Sequence, residues 1–166
     1  PILFIALGAV DIPGMLNVSV NYNPVKWFKS GSEIRVATEE FNRLFPGVYN
    51  ASLVLEGEAL TDPETLSQLA GLKEQLSGLS FVGQVTSYAD LVGPGAETDD
   101  AVRESLDEVF DSPRGIYAGG LITQDYQRAN VQVSMKTGDN KSMQRVLDEA
   151  DASLAARPLP AGTSAD

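Results

Sequence analysis

The side chains that could perform chemistry in this chain are carboxylates, hydroxyls, lysines and arginines, because its 166 residues include neither histidine nor cysteine. Without these two residue types there is no thiol nucleophile, no Ser-His-Asp triad, and no zinc or haem site that depends on them. A formal charge of −11 at pH 7 also argues against a nucleic-acid surface, which needs clustered Lys and Arg. We therefore expect no catalytic residue, no metal ion and no cofactor.

Two groups of carboxylates remain as candidates for a cation site or for acid–base chemistry. The first, Glu97 to Asp100, lacks the spaced oxygen ligands and the glycine of an EF-hand loop. It lies at a predicted helix start, where carboxylates interact favourably with the helix dipole. The second, Asp148 and Asp151, lies on a predicted helix whose opposite face is apolar, so we expect it to be a solvated surface.

A third group combines aromatic and basic side chains between positions 23 and 29. It contains the only tryptophan, followed by a phenylalanine and flanked by two lysines, and it comes shortly after the uncharged run Pro1–Val10. Such residues gather where a chain leaves the hydrocarbon of a membrane. The alternative is that the two aromatic rings fill the core of the domain. The residues predicted to lie near a membrane are Asn23, Pro24, Trp27 and Phe28.

The ends of the sequence indicate an excised domain. A helix needs about 20 apolar residues to span a bilayer, so residues 1–11 are interpreted as the truncated end of a transmembrane helix or as a lead-in. The alternative for this run is an ordinary buried strand or helix. Residues 158–166 are rich in proline and small polar side chains and are predicted to form a linker. The domain itself is predicted to extend over residues 12–157.

The apolar periodicity predicts strands that alternate with helices. Strands are predicted at 16–20, 49–56, 81–86 and 129–136. Helices are predicted to begin at a capping box from Ser30 to Glu33, at Asp62, at Thr98 and at Asn140. The residues expected to be buried are Ile34, Ala37, Phe41, Leu44 and Phe45 in the first helix; Leu66, Leu69, Leu72 and Leu76 in the second; Val102, Leu106, Val109 and Phe110 in the third; and Met143, Val146, Leu147, Ala150 and Leu154 in the last.

This order of elements predicts an α+β fold. Two β-α-β-like halves, with helices packed on one side of a sheet, correspond to ferredoxin-like units. Residues from about 87 to 120 are predicted to form a helical insertion in that scheme. The strand at 129–136 alternates apolar and polar residues, so we expect a sheet with one wet face and antiparallel or mixed strands.

Several blocks, taken in order, resemble the RND (resistance-nodulation-division) superfamily of exporters. The blocks are 23–29, 32–35, 42–47, 51–56, 62–64, 85–92 and 120–126, and the likeness covers roughly residues 12 to 157. The resemblance is to an extracytoplasmic loop of the branch that exports lipids and hydrophobic compounds, with the second of its two large loops as the better fit. It implies a porter-type domain built on β-α-β units.

The resemblance also implies a location and partners. Transmembrane helices would precede Pro1 and follow Asp166, and they would hold this domain on the periplasmic side of the cytoplasmic membrane. The domain would form part of the path of a hydrophobic or lipid-like substrate, or contact other domains of the same transporter. The proton-relay carboxylates would lie in membrane helices outside this chain. The alternative function is a free-standing ferredoxin-like domain that senses or binds a small molecule.

Overall fold

A computed structural model describes residues 24–93 and 95–165 of the chain. The predicted strand at 16–20, the apolar run Pro1–Val10 and the candidate residue Asn23 lie outside the described residues. The elements, in chain order, are a 3-10 helix Pro24–Trp27, helix α1 Glu33–Leu44, strand β1 Tyr49–Gly57, helix α2 Pro63–Ser77, strand β2 Val82–Thr86, a second 3-10 helix Tyr88–Asp90, helix α3 Asp99–Phe110, helix α4 Gly115–Ala118, strand β3 Arg128–Met135, helix α5 Asn140–Ala156 and strand β4 Thr163–Ala165.

The strands form one sheet in the order β2-β3-β1-β4, with every neighbouring pair antiparallel. The predicted α+β class is confirmed, and so is the antiparallel pairing that the single wet face indicated. From β1 onward the order is β-α-β, an insertion, then β-α-β, which is also the element order of the ferredoxin-like motif. The first of these halves consists of β1, α2 and β2. The sequence instead predicted a first half that begins one element earlier in the chain, made of the strand at 16–20, the helix that corresponds to α1 and the strand that corresponds to β1.

The C-terminal residues differ from the prediction. Residues 158–166, predicted as a linker, contain β4, which pairs with Leu55, Glu56 and Gly57 at the outer edge of β1. Gly162, with φ of +90°, turns the chain immediately before this strand. A strand of three residues is too short to show a period-2 pattern, which needs at least about four. The pairing of β4 with β1 therefore depends on contacts with the rest of the sheet, and the three residues of β4 do not predict it.

The starts of the helices follow from the side chains placed there. Asp62 caps α2 by accepting a hydrogen bond from the Glu64 N–H at 2.8 Å, and Thr98 caps α3 by accepting one from the Ala101 N–H at 3.3 Å, both as predicted. The predicted capping box of α1 is wrong. The cap is Ser32 and not Ser30, and it makes no side-chain cap bond. Gly31, with φ of +85°, turns the chain between the two serines.

The core lies between one face of the sheet and the helices that cover it. Strand β3 alternates as predicted, with its apolar side chains buried and its polar ones facing outward. One predicted core residue, Leu147, is half exposed, because α5 turns Val146 and Ala150 inward and Leu147 lies about 100° around the helix from Val146. The buried side chains of the helices and β3 include Leu69, Leu72, Leu76, Val102, Leu106, Val131, Val133 and Met135.

The second 3-10 helix begins the connection between β2 and β3, where the helical insertion was predicted. Tyr88 in this helix is fully buried, and its hydroxyl donates a hydrogen bond to the Leu60 carbonyl. Burial raises the pKa of Tyr88 well above its usual value, so the hydroxyl stays protonated and keeps donating. Asp90 accepts a bond from the Ser87 N–H at 3.0 Å and forms an ion pair with Lys73 of α2. These contacts fix the start of the insertion to the core.

Tyr88→Phe is expected to lower the free energy of unfolding by about 1–3 kcal/mol, because the Leu60 carbonyl would stay buried without its donor. Tyr117→Phe removes the same hydroxyl from the exposed helix α4, where water replaces it, and should change stability by less than about 0.5 kcal/mol. Urea denaturation of both variants measures the difference. Equal stability of the two variants would contradict the buried hydrogen bond.

Asp139 caps α5, the longest helix among the described residues. Its carboxylate accepts hydrogen bonds from the Thr137 hydroxyl at 2.6 Å, from the Ser142 N–H at 3.0 Å and from the Ser142 hydroxyl at 2.9 Å. The Thr137 hydroxyl, followed by the Ser142 donors, lowers the pKa of Asp139 below its usual value, since all of these bonds favour the charged form. The cap therefore stabilises the folded chain only while the carboxyl is ionised.

Asp139→Ala is expected to cost about 1 kcal/mol of stability at pH 7. Because the folded pKa lies below the unfolded value of about 3.9, this contribution is complete above that pH and is lost as pH falls through the folded pKa. Urea denaturation at several pH values should show the difference between wild type and variant shrinking below about pH 4. Asp151→Ala, on the exposed face of α5, is the control and should have little effect. A difference that stays constant down to pH 3 would contradict this account of the cap.

Candidate functional site

The residues predicted to lie near a membrane begin the described chain. Pro24 and Trp27 are the ends of the first 3-10 helix, and Phe28 follows it. The Trp27 side chain is 68% exposed and Phe28 is 43% exposed. The alternative that these two rings fill the core is therefore wrong. Their neighbours Lys26 and Lys29 are exposed as well, and the proximity of these residues to a membrane stays a prediction.

Helix α1 continues this exposed surface. Its apolar stripe was predicted to be buried, yet no residue of α1 is buried, and Ile34, Phe41 and Leu44 are 53%, 44% and 62% exposed. The ring of Phe41 stacks on Phe45, just beyond the helix, with centroids 4.3 Å apart. We call this stripe the α1 apolar face; it consists of Ile34, Ala37, Phe41, Leu44 and Phe45.

Another face of α1, about 110° around the helix from the apolar stripe, is turned toward the protein. Arg35, Thr38 and Asn42 recur at helical spacing and are partly buried. With Tyr49 and Lys136 they help to line a cavity of about 150 Å³ between α1 and the end of the sheet. An amphipathic helix on a globular domain normally buries its apolar stripe and exposes its polar one. Within the described residues, α1 instead leaves its apolar stripe exposed.

Close backbone contacts hold the turn after α1 against the sheet. A Cβ atom added to Gly83 of β2 would lie 1.7 Å from the Pro46 carbonyl oxygen. A Cβ atom added to Gly47, which has φ of +137°, would lie 2.0 Å from the Met135 carbonyl oxygen. Only glycine permits such close approach of two backbones. These two glycines therefore determine where α1, and the surface it carries, lies relative to the sheet.

The part of the chain that contains Trp27, Phe28 and α1 differs in charge from the chain as a whole. Residues 24–48 carry four basic and three acidic side chains, whereas the chain has 12 basic and 23 acidic ones. Two of the three acids form ion pairs within α1: Glu39 with Arg35 at 3.0 Å, and Glu40 with Arg43, whose guanidinium lowers the pKa of Glu40. The region is thus slightly basic in a strongly acidic protein.

A second exposed apolar group lies on helix α4 of the insertion. Ile116 is 95% exposed and Tyr117 is half exposed. The insertion leads into the start of β3, whereas α1 leads into Tyr49 at the start of β1, which pairs with Met135 at the end of β3. The two apolar groups therefore lie toward opposite ends of a sheet whose nine-residue strand β1 is roughly 30 Å long.

A network of polar side chains ties the insertion to the domain, and no sequence signal predicted it. Asp99 accepts a hydrogen bond from Thr61 and pairs with Arg103 at 2.7 Å, which is the main reason its pKa is lowered. The Arg103 guanidinium lies 5.1 Å from the ring centroid of Tyr126. The Tyr126 hydroxyl donates to Asp107, and desolvation together with this carboxylate raises its pKa to about 12. These groups satisfy one another, so we assign the network a structural role.

The carboxylates singled out in the sequence lie at a helix start or on an exposed helix face. Glu97, Asp99 and Asp100 lie at the start of α3, as the dipole argument predicted, and Asp148 and Asp151 are exposed on α5. Residues 24–93 and 95–165 contain no group of three or more acidic side chains that could hold a metal ion. Within the same ranges, no helix is long and apolar enough to cross a bilayer.

Two comparisons with known proteins found no match for this chain. No model of a protein family matches it, and no curated protein matches it either. The residues that sequence reasoning selected, Trp27 and Phe28, do lie in an exposed apolar region. The exposure of the α1 apolar face and of Ile116 was not predicted, because it depends on how the helices are placed on the sheet.

Gly83→Ala is expected to destabilise the chain by about 1–3 kcal/mol, because its new Cβ would overlap the Pro46 carbonyl and force the turn after α1 away from β2. Gly119→Ala is the matched control, since the nearest atom to its Cβ would be at 3.6 Å, an ordinary contact. Urea denaturation followed by the fluorescence of the single tryptophan, Trp27, reports on both. Indistinguishable midpoints would mean that the turn does not pack on β2.

Proposed function

We propose that this chain is an extracytoplasmic domain of a proton-driven RND exporter of hydrophobic or amphiphilic compounds. The observation that carries the proposal is the exposed surface of Trp27, Phe28 and the α1 apolar face, in a slightly basic region of an acidic protein. An apolar surface rimmed by charged side chains is typical of a contact with a membrane, a partner or an apolar ligand. The ordered sequence blocks that resemble this superfamily support the same function.

In this function the domain supplies surface and no covalent chemistry. Trp27 and Phe28 face the outer leaflet of the cytoplasmic membrane, with Lys26 and Lys29 at the level of the lipid headgroups. Ile116, at the other end of the sheet, then points away from the bilayer, toward neighbouring domains of the same transporter. The opposite placement of the two apolar groups is what a domain joining a membrane to further domains requires. Proton coupling takes place in membrane helices outside this chain.

The alternative, a free-standing small-molecule sensor, has weaker support from the geometry. Such a domain would bind its ligand between sheet and helices, and this space is filled by side chains such as Leu72, Val131 and Val133, which are almost fully buried. A cleft of about 270 Å³ lies instead along α2 and α5, where Gln68, Glu74 and Arg157 contribute polar groups to its lining. Hydrophobic ligand sites are usually apolar with few polar groups. This cleft does not have that character.

The location of Trp27 can be tested with the full-length protein in lipid vesicles. Quenchers attached near the lipid headgroups are expected to reduce Trp27 fluorescence, because its exposed ring lies at the membrane end of the domain. The matched control is the double variant Trp27→Phe with Ile116→Trp, which moves the only indole of these 166 residues to the opposite end of the sheet. In both proteins, any tryptophan encoded elsewhere in the full-length protein is replaced by phenylalanine. Its fluorescence should be unaffected. Failure of the bilayer quenchers to affect Trp27 would exclude this orientation.

The gene provides an independent check on the exporter itself. Long apolar segments encoded on both sides of this region support an exporter, because they would supply the membrane helices. A start codon near Pro1 and a stop codon after Asp166 would support the sensor and overturn the proposal. Lipids that co-purify with the full-length protein, identified by mass spectrometry, would then indicate the class of substrate.

A further inference from the structure

The cavity between α1 and the end of the sheet collects positive charge in an otherwise acidic protein. Its volume is about 150 Å³, and Lys26, Arg35 and Lys136 line it, with Glu39 as the one carboxylate among its described lining residues. Over the whole chain, 23 acidic side chains outnumber 12 basic ones. We propose that this cavity binds a phosphate group, held chiefly by these three cations.

The three cations come from three separate parts of the fold. Lys26 belongs to the first 3-10 helix, Arg35 to the first turn of α1, and Lys136 follows β3 directly. The 3-10 helix packs on α1, and the close approach of Gly47 holds the turn after α1 against the end of β3. The Lys136 N–H also donates to the Phe81 carbonyl at 2.9 Å. Backbone packing therefore fixes the places from which the three side chains reach the cavity.

The carboxylates close to these cations are already bonded. Glu39 accepts a hydrogen bond from the Arg35 Nε at 3.0 Å. Asp139 interacts with Lys26 only over a longer distance, and its oxygens accept three hydrogen bonds as the cap of α5. Neither Lys26 nor Lys136 forms an ion pair within residues 24–93 and 95–165. Three cations thus face two engaged carboxylates, and the cavity keeps a surplus of positive charge.

The remaining hydrogen-bonding groups of the cavity favour an acceptor as ligand. Arg35 uses its Nε–H on Glu39, which leaves the N–H groups of its two Nη atoms for another partner. The side-chain oxygen of Asn42 accepts a bond from the Val48 N–H at 3.0 Å, so the amide offers its NH2 group. Guanidinium and ammonium groups bind phosphate oxygens through charge-assisted hydrogen bonds. A phosphate offers three or four such oxygens to three cations, whereas a carboxylate offers only two.

The size of the cavity suits the same group. A water molecule occupies about 30 Å³ in the liquid, so 150 Å³ corresponds to about five waters, close to the five non-hydrogen atoms of a phosphate. Lys26 and Lys136 are exposed, so the cavity is open to solvent on their side. The rest of a phosphate-bearing molecule can therefore extend outward.

The phosphate group has two sources that differ in their relation to the proposed function. In the exporter, Lys26 lies at the level of the lipid headgroups, and a phospholipid headgroup then supplies the phosphate; this source rests on the function proposed above. A soluble phosphorylated compound supplies the same group without a membrane. Both sources use the same three cations.

Isothermal titration calorimetry tests the site with inorganic phosphate and the full-length protein, held in a non-ionic detergent without lipid. Lys136→Gln is expected to weaken phosphate binding about tenfold, because one charged donor is lost. Lys29→Gln is the matched control: it removes the same charge from an exposed lysine that does not line the cavity, and should change binding by less than about twofold. Unchanged urea midpoints would show that both variants are folded.

Native mass spectrometry of the same proteins with added phosphatidylglycerol distinguishes the two sources. Lipid that stays bound to wild type and is lost in Lys136→Gln identifies a headgroup, and phosphate binding without lipid binding identifies a soluble compound. The proposal is overturned if wild type binds neither probe, or if Lys29→Gln weakens binding as much as Lys136→Gln. Phosphate binding in detergent needs no bilayer, so it can succeed where the vesicle experiment on Trp27 fails, and the reverse.

Discussion

Strand β3 is hydrogen-bonded along both edges, to β2 on one side and to β1 on the other, and it turns Ala129, Val131, Val133 and Met135 into the core. Both long helices of the two halves, α2 and α5, must cover this face, because it is the apolar one. The other face of β3 is polar and stays hydrated. The alternation of four apolar side chains in one strand therefore decides which side of the sheet carries helices.

The antiparallel sheet also decides where the exposed apolar groups are placed. The connection into β1 and the connection into β3 enter the sheet from opposite ends, since the two strands run in opposite directions. Residues 24–48 therefore lie at one end, and the tip of the insertion with Ile116 lies at the other. A domain with exposed apolar groups at both ends of its sheet could contact a neighbour at each end, which is consistent with the function proposed for it.

The exposure of the α1 apolar face is energetically unfavourable for the described residues on their own. Burying one large apolar side chain is worth about 1.5–3 kcal/mol, so exposing Ile34, Phe41 and Leu44 forgoes several kcal/mol. Meanwhile, Gly47 and Gly83 hold the turn after α1 so closely against the strands that the helix cannot move away freely. Among the described residues, the turn after α1 is therefore packed closely on the sheet while the α1 apolar face stays exposed.

Features that depend on near neighbours in the chain could be predicted from the sequence alone. The caps at Asp62 and Thr98, the alternation of β3 and the α+β class belong to this group, because a cap or a strand face is defined within a few residues. The burial of α1, the pairing of β4 and the bond between Thr61 and Asp99, 38 residues apart, could not be predicted. They depend on which distant surfaces meet, and only the tertiary structure decides this. For the candidate site, the sequence therefore determined that Trp27 and Phe28 stand beside lysines, and the fold decided that both rings face outward.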